Sequence, residues 1–271
     1  MKLKDQIKIV VFDYDGTLVD YHRQMSDKTI EALNLLKKNG YKLAIASGRM
    51  CRIIGNIISE YTDYRVFDYF FGANGSEYLV IDKNDYVSLN SLSSEEIKSI
   101  VMKLDGTIGV PSVYNPYHCY VPINTKKERY SEFEKYIGYN FEQFDFSQLQ
   151  DTFPKVLYFF EEKDYDKAYE VLSSNEFSNY SLVRSNKRIL ELLPKGVSKA
   201  NCIKLLTELE NVDSRQIMAF GDEQNDLSMM QSCVGVAMGN ARDEIKRKVD
   251  YIAPNVNEDG IYGFFKEHEF I

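Results

Sequence analysis

The chain has 271 residues, 44% of them hydrophobic and 27% charged, which fits a folded globular protein of one large or two smaller domains and excludes disorder as its main state. Lys and Arg number 33 against 41 Asp and Glu, and the resulting net charge of −8 makes a poor general binder of nucleic-acid backbones. No run of about 18 apolar residues occurs, so a membrane-spanning helix is excluded as well.

The charged opening residues lead straight into an apolar run, Ile9-Val10-Val11-Phe12, and not into a signal-peptide pattern, so a cytoplasmic location is expected. Four consecutive apolar residues suit a strand covered on both faces. Helical spacing follows over 26–38, where Ile30, Leu33 and Leu36 share a side, Ser26 is placed to cap the start and Gly40 follows the end. Leu43-Ala44-Ile45-Ala46 reads as a second buried strand. A helix is predicted over 49–59, with Ile53, Ile54, Ile57 and Ile58 on its apolar side, and a third strand over 67–71. This βαβαβ order implies a parallel sheet with helices on its faces.

After Gly72 the pattern changes. Segments 78–82 and 86–90 flank Lys83-Asn84-Asp85 as a hairpin, and Ser93-Ser94-Glu95-Glu96 is a capping box opening a helix to Leu104. Short strands are predicted over 109–114, 119–123, 156–161, 180–183 and 189–192, with a polar helix over 126–136 and another over 164–172. The α/β pattern resumes near Pro194. A helix capped by Ser198 runs to Glu210, and strands over 217–220, 234–237 and 251–253 alternate with helices over 226–231 and 241–248. The expected fold class is therefore α/β: a Rossmann-like, doubly wound, mainly parallel sheet core over 1–82 and 190–271, interrupted by an α+β domain over 83–189. The cysteines Cys51, Cys119, Cys202 and Cys233 are dispersed, and the three histidines show no ligand spacing, so free thiols are expected and a zinc site is not.

In open α/β sheets, ligands gather at the carboxyl ends of the strands. Three apolar runs here end in polar groups: Asp13-Tyr14-Asp15-Gly16-Thr17, Ser47-Gly48-Arg49, and Gly221-Asp222-Glu223-Gln224-Asn225-Asp226. If the three strands are parallel neighbours, at least three carboxylates share one crevice. Like charges brought together need a cation, and hard carboxylate oxygens favour Mg²⁺, which commonly also binds substrate phosphate. Gly16, Ser47 and Gly48 are small enough to let backbone and hydroxyl donors approach a phosphoryl group, and Lys199 adds a positive charge at a helix start.

These residues resemble the haloacid dehalogenase superfamily. Asp13-Tyr14-Asp15-Gly16-Thr17 is similar to its first motif, Ser47-Gly48-Arg49 to its second, Lys199 to its third, and Gly221-Asp222-x-x-Asn225-Asp226 to its fourth. Val236-Ala237-Met238-Gly239-Asn240-Ala241, Lys246 and Glu258-Asp259-Gly260 resemble the C-terminal part of the Cof-type sugar-phosphatase branch, whose α+β cap has the position and size of the insert. The resemblance implies a Mg²⁺-dependent phosphatase of small phosphorylated metabolites such as sugar phosphates. It implies Asp13 as a nucleophile that becomes an aspartyl-phosphate, and Asp15 as general acid and then base. It implies a metal held by the Asp13 carboxylate, the Asp15 carbonyl and Asp222, with Asp226 close behind. Ser47, the Gly48 amide, Lys199 and Asn225 would hold phosphoryl oxygens. Asp15 favours phosphoryl chemistry over dehalogenation, since a halide leaves unprotonated.

Alternatives stay open at this point. The same core could serve a phosphomutase, or a phosphometabolite-binding regulator without activity. Asp226 fits a helix start as well as a metal cluster. Arg49 reads equally as ion-pair partner or ligand, Asn74 as a turn residue or a substrate contact. Tyr114, Tyr117, His118 and Arg184 are candidates in the insert for facing the substrate.

Overall fold

The computed structural model describes residues 2–103, 109–115, 118–137 and 139–271. Tyr117 and the expected helix end at Leu104 lie outside the described residues. The chain forms two compact units, Met1–Val87 with Ser198–Ile271, and Ser88–Val197. Strands β1 (Ile9–Phe12), β2 (Lys42–Ala46), β3 (Tyr69–Gly72), β4 (Glu77–Val80) and β5 (Asp85–Ser88) come first. The second unit contributes β6 (Val110–Tyr114), β7 (Cys119–Pro122), β8 (Glu142–Phe144), β9 (Val156–Phe159), β10 (Tyr180–Asn186) and β11 (Ile189–Pro194). The chain then returns with β12 (Ile217–Gly221), β13 (Val234–Ala237) and β14 (Tyr251–Ile252).

The first unit is built on a sheet in the order β14-β13-β12-β1-β2-β3-β4-β5. Its pairs are parallel from β14 through β3, and β4 runs antiparallel to β3. Side chains alternate across the central strand, which is why β1 is apolar throughout. Ile9 and Val11 pack on one face with Ala44, Ala46, Cys202, Ile203 and Leu206. Val10 and Phe12 pack on the other with Leu33, Leu36, Phe264 and Phe265. The helix Asp27–Lys38 forms as its spacing predicts: the Ser26 side chain accepts from the Thr29 amide, and Gly40 takes a left-handed φ of 89° beyond the end.

β1, β2 and β3 are laid down in one direction, and the chain then comes back to the other side of β1 with β12 and β13. The strand order therefore reverses between β1 and β12, where the departing connections leave a crevice at the carboxyl ends. The register pairs Phe12 with Phe220 on one side and with Ile45 on the other. Asp13, Gly221 and Ala46 are consequently the next residues at one level, and Asp222 and Ser47 follow immediately.

The second unit carries a sheet in the order β10-β11-β9-β6-β7-β8, antiparallel except for the β7–β8 pair. One face packs Val113, Val156, Tyr158, Leu190 and Leu192 with Ile97, Ile100, Ala168 and Leu172 from the helices Ser94–Lys103 and Tyr165–Leu172. The Ser93–Glu96 capping box is present in both directions.

The division of the chain differs from the expected boundaries of 82/83 and 189/190. β5 belongs to the first sheet, and β11 is a central strand of the second, so residues 190–197 go with the insert. The helix expected over 126–136 is two pieces, a 3₁₀ turn Lys127–Arg129 and an α-helix Ser131–Ile137. The helix expected to open with a Ser198 cap begins at Ala200 with Lys199 at the N-cap position and no side-chain cap hydrogen bond. All four cysteines are buried free thiols.

Candidate active site

Asp13 leaves the end of β1 with its amide bonded to the Phe220 carbonyl at 2.9 Å, so the β1–β12 ladder continues up to the first carboxylate. Asp13, Asp222 and Asp226 converge there, with one oxygen from each within 4.8 Å of the other two and each residue 5% exposed or less. Lys199 is equally buried, and its Nζ donates to Asp13 Oδ1 and to Asp226 Oδ1, each at 2.5 Å. The other Asp226 oxygen, Oδ2, accepts the amides of Asp222 and Glu223 at 3.1 and 3.0 Å. Asp226 is thus bonded at both oxygens and ties the turn after β12 to the lysine. Asp222 Oδ1, by contrast, is buried without a hydrogen-bond partner.

Two glycines let the carboxylates come this close. Gly16 has a left-handed φ of 83°, and a Cβ there would lie 2.3 Å from Asp222 Oδ2. A Cβ on Gly221 would lie 2.4 Å from the Asp226 Cβ.

The electrostatics follow from burial and crowding. Burial first, then the charge of Asp226, pushes the Asp13 carboxyl well above its usual range against the pull of Lys199. The same two causes push Asp222 up to about 7. Burial alone would lower the Lys199 ammonium, but Asp13 and Asp226 outweigh it and hold it above its ordinary value. With all three carboxylates ionised, the cluster would carry two negative charges more than the one ammonium can offset, and the raised Asp13 and Asp222 carboxyls express that crowding. A divalent cation of hard character matches that excess, and the orphaned Asp222 Oδ1 supplies a ready ligand atom.

The remaining expected residues are placed as follows. The Asp15 carboxylate is 45% exposed and stands outside the triad; both of its oxygens accept from Arg49, at 3.0 Å each. Arg49 is therefore an ion-pair partner in this structure. The turn after β2 is held by the end of β3: Asn74 and Ala73 donate their amides to the carbonyls of Ser47 and Arg49. The buried Ser47 Oγ accepts the Arg49 amide at 3.1 Å. Asn74 occupies a left-handed turn with φ 57° against Gly48, as its turn reading required. Asn225 sits half-buried in the turn after β12, and its side chain joins none of the bonds that tie the carboxylates together. Within the insert, Tyr114 is buried with the Lys155 ammonium over its ring, His118 stacks on Tyr120, and Arg184 packs over Tyr165 and Tyr169.

Two residues at the site carried no expected role. The Tyr21 hydroxyl donates to Asp222 Oδ2 at 3.0 Å, and Asn240 Nδ2 reaches the same oxygen at 3.1 Å. Asn240 follows the end of β13, whose carboxyl end also borders the crevice, and it lies in the Val236–Ala241 segment that carries part of the resemblance; both were available signals. Tyr21 lies in an irregular loop and offered none.

The haloacid dehalogenase-like hydrolase family matches residues 10–265, and the chain belongs to that family. Within it, the chain is a phosphatase, a class its relatives share. The Bacillus subtilis (strain 168) protein named "Putative phosphatase YkrA" is 29% identical over 272 residues, covering 96% of this chain and 97% of its own length. The 5-amino-6-(5-phospho-D-ribitylamino)uracil phosphatase YcsE of the same strain is 26% identical over 263 residues, covering 94% and 93%. Among solved structures, the HAD subclass IIB sugar phosphatase BT4131 has a TM-score of 0.82 at 26% identity and covers 97% of this chain and 100% of its own. The Cof-type branch named by the sequence resemblance agrees with these neighbours. Among the described residues, no helix is long and apolar enough to cross a membrane.

Proposed function

We propose that this phosphatase works with Mg²⁺, acts on phosphorylated sugars or similar small metabolites in the cytoplasm, and passes through a phosphorylated Asp13. The observation that carries the reading is the buried triad Asp13, Asp222 and Asp226 around the single Lys199 at the carboxyl ends of β1 and β12. Asp13, the Asp15 carbonyl and Asp222 would hold the ion, and Asp226, bonded at both oxygens, would position Lys199 and the turn carrying Asp222. Bound there, Mg²⁺ would offset the negative charge of the phosphoryl group and of the carboxylates.

The chain's own residues then divide the work. The Asp13 carboxylate attacks phosphorus and the ester P–O bond breaks. Asp15 gives the leaving alkoxide its proton, and the resulting carboxylate takes a proton from the water that cleaves the Asp13–phosphoryl bond. Inorganic phosphate leaves and both aspartates are restored. Both Asp15 oxygens are bonded to Arg49 in the structure, so proton transfer requires one of those bonds to be given up. Lys199, Ser47, the Gly48 amide and Asn225 would orient the phosphoryl oxygens. Lys199 must exchange a carboxylate contact to do so. Preorganised positive charge of this kind is the main source of rate in phosphoryl transfer.

The substrate class draws support from two relatives: BT4131 is called a sugar phosphatase, and the substrate named for YcsE carries its phosphate on a ribityl chain. The insert, unit Ser88–Val197, would serve as the cap that selects the leaving group. The test is a screen of phosphorylated metabolites for phosphate release with Mg²⁺, with EDTA, and with Asp13→Asn. Sugar and polyol phosphates should lead, and both EDTA and the substitution should stop release. An isomeric sugar phosphate formed without free phosphate would instead make the protein a mutase.

A further inference from the structure

The two oxygens of Asp222 are treated unequally. Oδ2 accepts the Tyr21 hydroxyl at 3.0 Å and the Asn240 amide at 3.1 Å, while Oδ1 is buried with no hydrogen-bond partner. Asn240 Nδ2 also reaches the Gly16 carbonyl at 2.8 Å. A carboxamide has two N–H groups, so one serves the turn after β1 and the other serves Asp222 after β12; the Tyr21 oxygen, 3.3 Å away, is a weaker third neighbour. The asparagine is itself fixed, because its Oδ1 accepts the Val256 amide at 3.1 Å and the preceding Gly239 carbonyl accepts from Lys246 Nζ at 2.7 Å. Tyr21 is 64% exposed, so ring burial does not account for its placement, whereas its hydroxyl bond to Asp222 does.

We propose that Tyr21 and Asn240 are positioning residues for the divalent-cation site, which make Asp222 a one-oxygen ligand and thereby favour small octahedral ions over Ca²⁺. The inference rests on the reading that the acidic triad holds a cation. With Oδ2 engaged by two donors, only Oδ1 is left without one. Mg²⁺ and Mn²⁺ accept single carboxylate oxygens in tight octahedral geometry, whereas Ca²⁺ gains from a second oxygen of the same carboxylate. Two-oxygen capture here would require both donors to be displaced. Asn240 adds a second effect by holding the Gly16 carbonyl, next to the Asp15 carbonyl expected to complete the site. Outer contacts of this kind typically change metal affinity by about 10–100-fold.

The experiment uses the full chain and the metals alone, with no substrate. Free Mn²⁺ is followed by electron paramagnetic resonance during titration, and Ca²⁺ is then added as competitor, for the wild type, Tyr21→Phe, Asn240→Ala and Asp222→Asn. Melting curves check folding, and Tyr21→Phe, which removes one hydroxyl from an exposed ring, carries the test if Asn240→Ala does not fold. Asp222→Asn should abolish binding. Asn240→Ala should weaken Mn²⁺ binding about 10–100-fold and Tyr21→Phe about tenfold, with Ca²⁺ competing relatively better in both. Mn²⁺ affinity and Mn²⁺/Ca²⁺ ratio within about twofold of the wild type in the folded variants, while Asp222→Asn loses binding, overturns the positioning inference alone. A wild type that binds no Mn²⁺, or an Asp222→Asn variant that binds as well as the wild type, overturns the cation reading and this inference together.

Discussion

The two units of the chain bury charge in opposite ways. In the insert, the buried Lys155 and Glu191 form an ion pair at 2.6 Å, and Ser185 donates to the second Glu191 oxygen. In the first unit, three buried carboxylates face one buried ammonium, and one carboxylate oxygen is left without a partner. Burial of charge alone therefore does not mark a site. A matched pair is explained by the fold that contains it, whereas an unbalanced cluster at the carboxyl ends of parallel strands asks for a ligand.

The comparison can be broken from either side. The largest expected effect is on catalysis: Asp13→Asn should lower turnover by about 10⁴-fold or more, with the melting temperature unchanged or raised, in phosphate-release and thermal-melt assays. In the insert the sign for stability reverses. Glu191→Gln should cost about 3–5 kcal/mol in urea unfolding because it removes the carboxylate charge beside a buried ammonium, and the double change Lys155→Met/Glu191→Leu should recover most of that loss. A Glu191→Gln protein as stable as the wild type would show that the pair is not what keeps this charge buried.

A smaller effect is expected where the first unit's backbone admits the cluster. Gly16→Ala puts a Cβ against Asp222 Oδ2 at a left-handed φ, and should destabilise by more than about 1 kcal/mol while weakening Mn²⁺ binding. The smallest change is the most diagnostic. Above pH 7, where the Asp222 carboxyl is ionised, Asp222→Asn removes one of the surplus charges, so the metal-free protein should melt higher there, by about 2–4 °C for each kcal/mol relieved. Mg²⁺ should raise the melting temperature of the wild type and leave this variant unmoved. A lower melting temperature for metal-free Asp222→Asn would mean that the cluster is balanced after all.

The sequence was most legible where burial is two-sided. The runs Ile9–Phe12, Leu43–Ala46 and Ile217–Phe220 had to be central strands, and the polar groups that end them had to meet if the strands were parallel neighbours. What depended on pairing at a distance was not legible. The strand over 189–192 reads with the insert's short strands, yet the expected boundary at 189/190 cuts through it; only the antiparallel pairing with β9 and β10 places the whole of β11 in the insert. β8 is three residues, Glu142–Phe144, too short and polar to stand out. The sequence leaves Arg49 between two roles because Asp15, with which it pairs, lies on another strand's turn. The Tyr21 and Asn240 contacts escaped for the same reason: loop and turn residues have no periodicity, and their roles exist only once β1, β12 and β13 lie side by side.

If the unbalanced cluster serves a covalent reaction, the phosphoryl group passes through Asp13. Acid quenching during turnover of a phosphorylated sugar with Mg²⁺, followed by mass spectrometry of the digested chain, tests it most directly. One phosphoryl group is expected on the peptide that contains Asp13, and none in Asp13→Asn. Continued phosphate release by Asp13→Asn, or a phosphoryl group trapped on a different peptide, would contradict it.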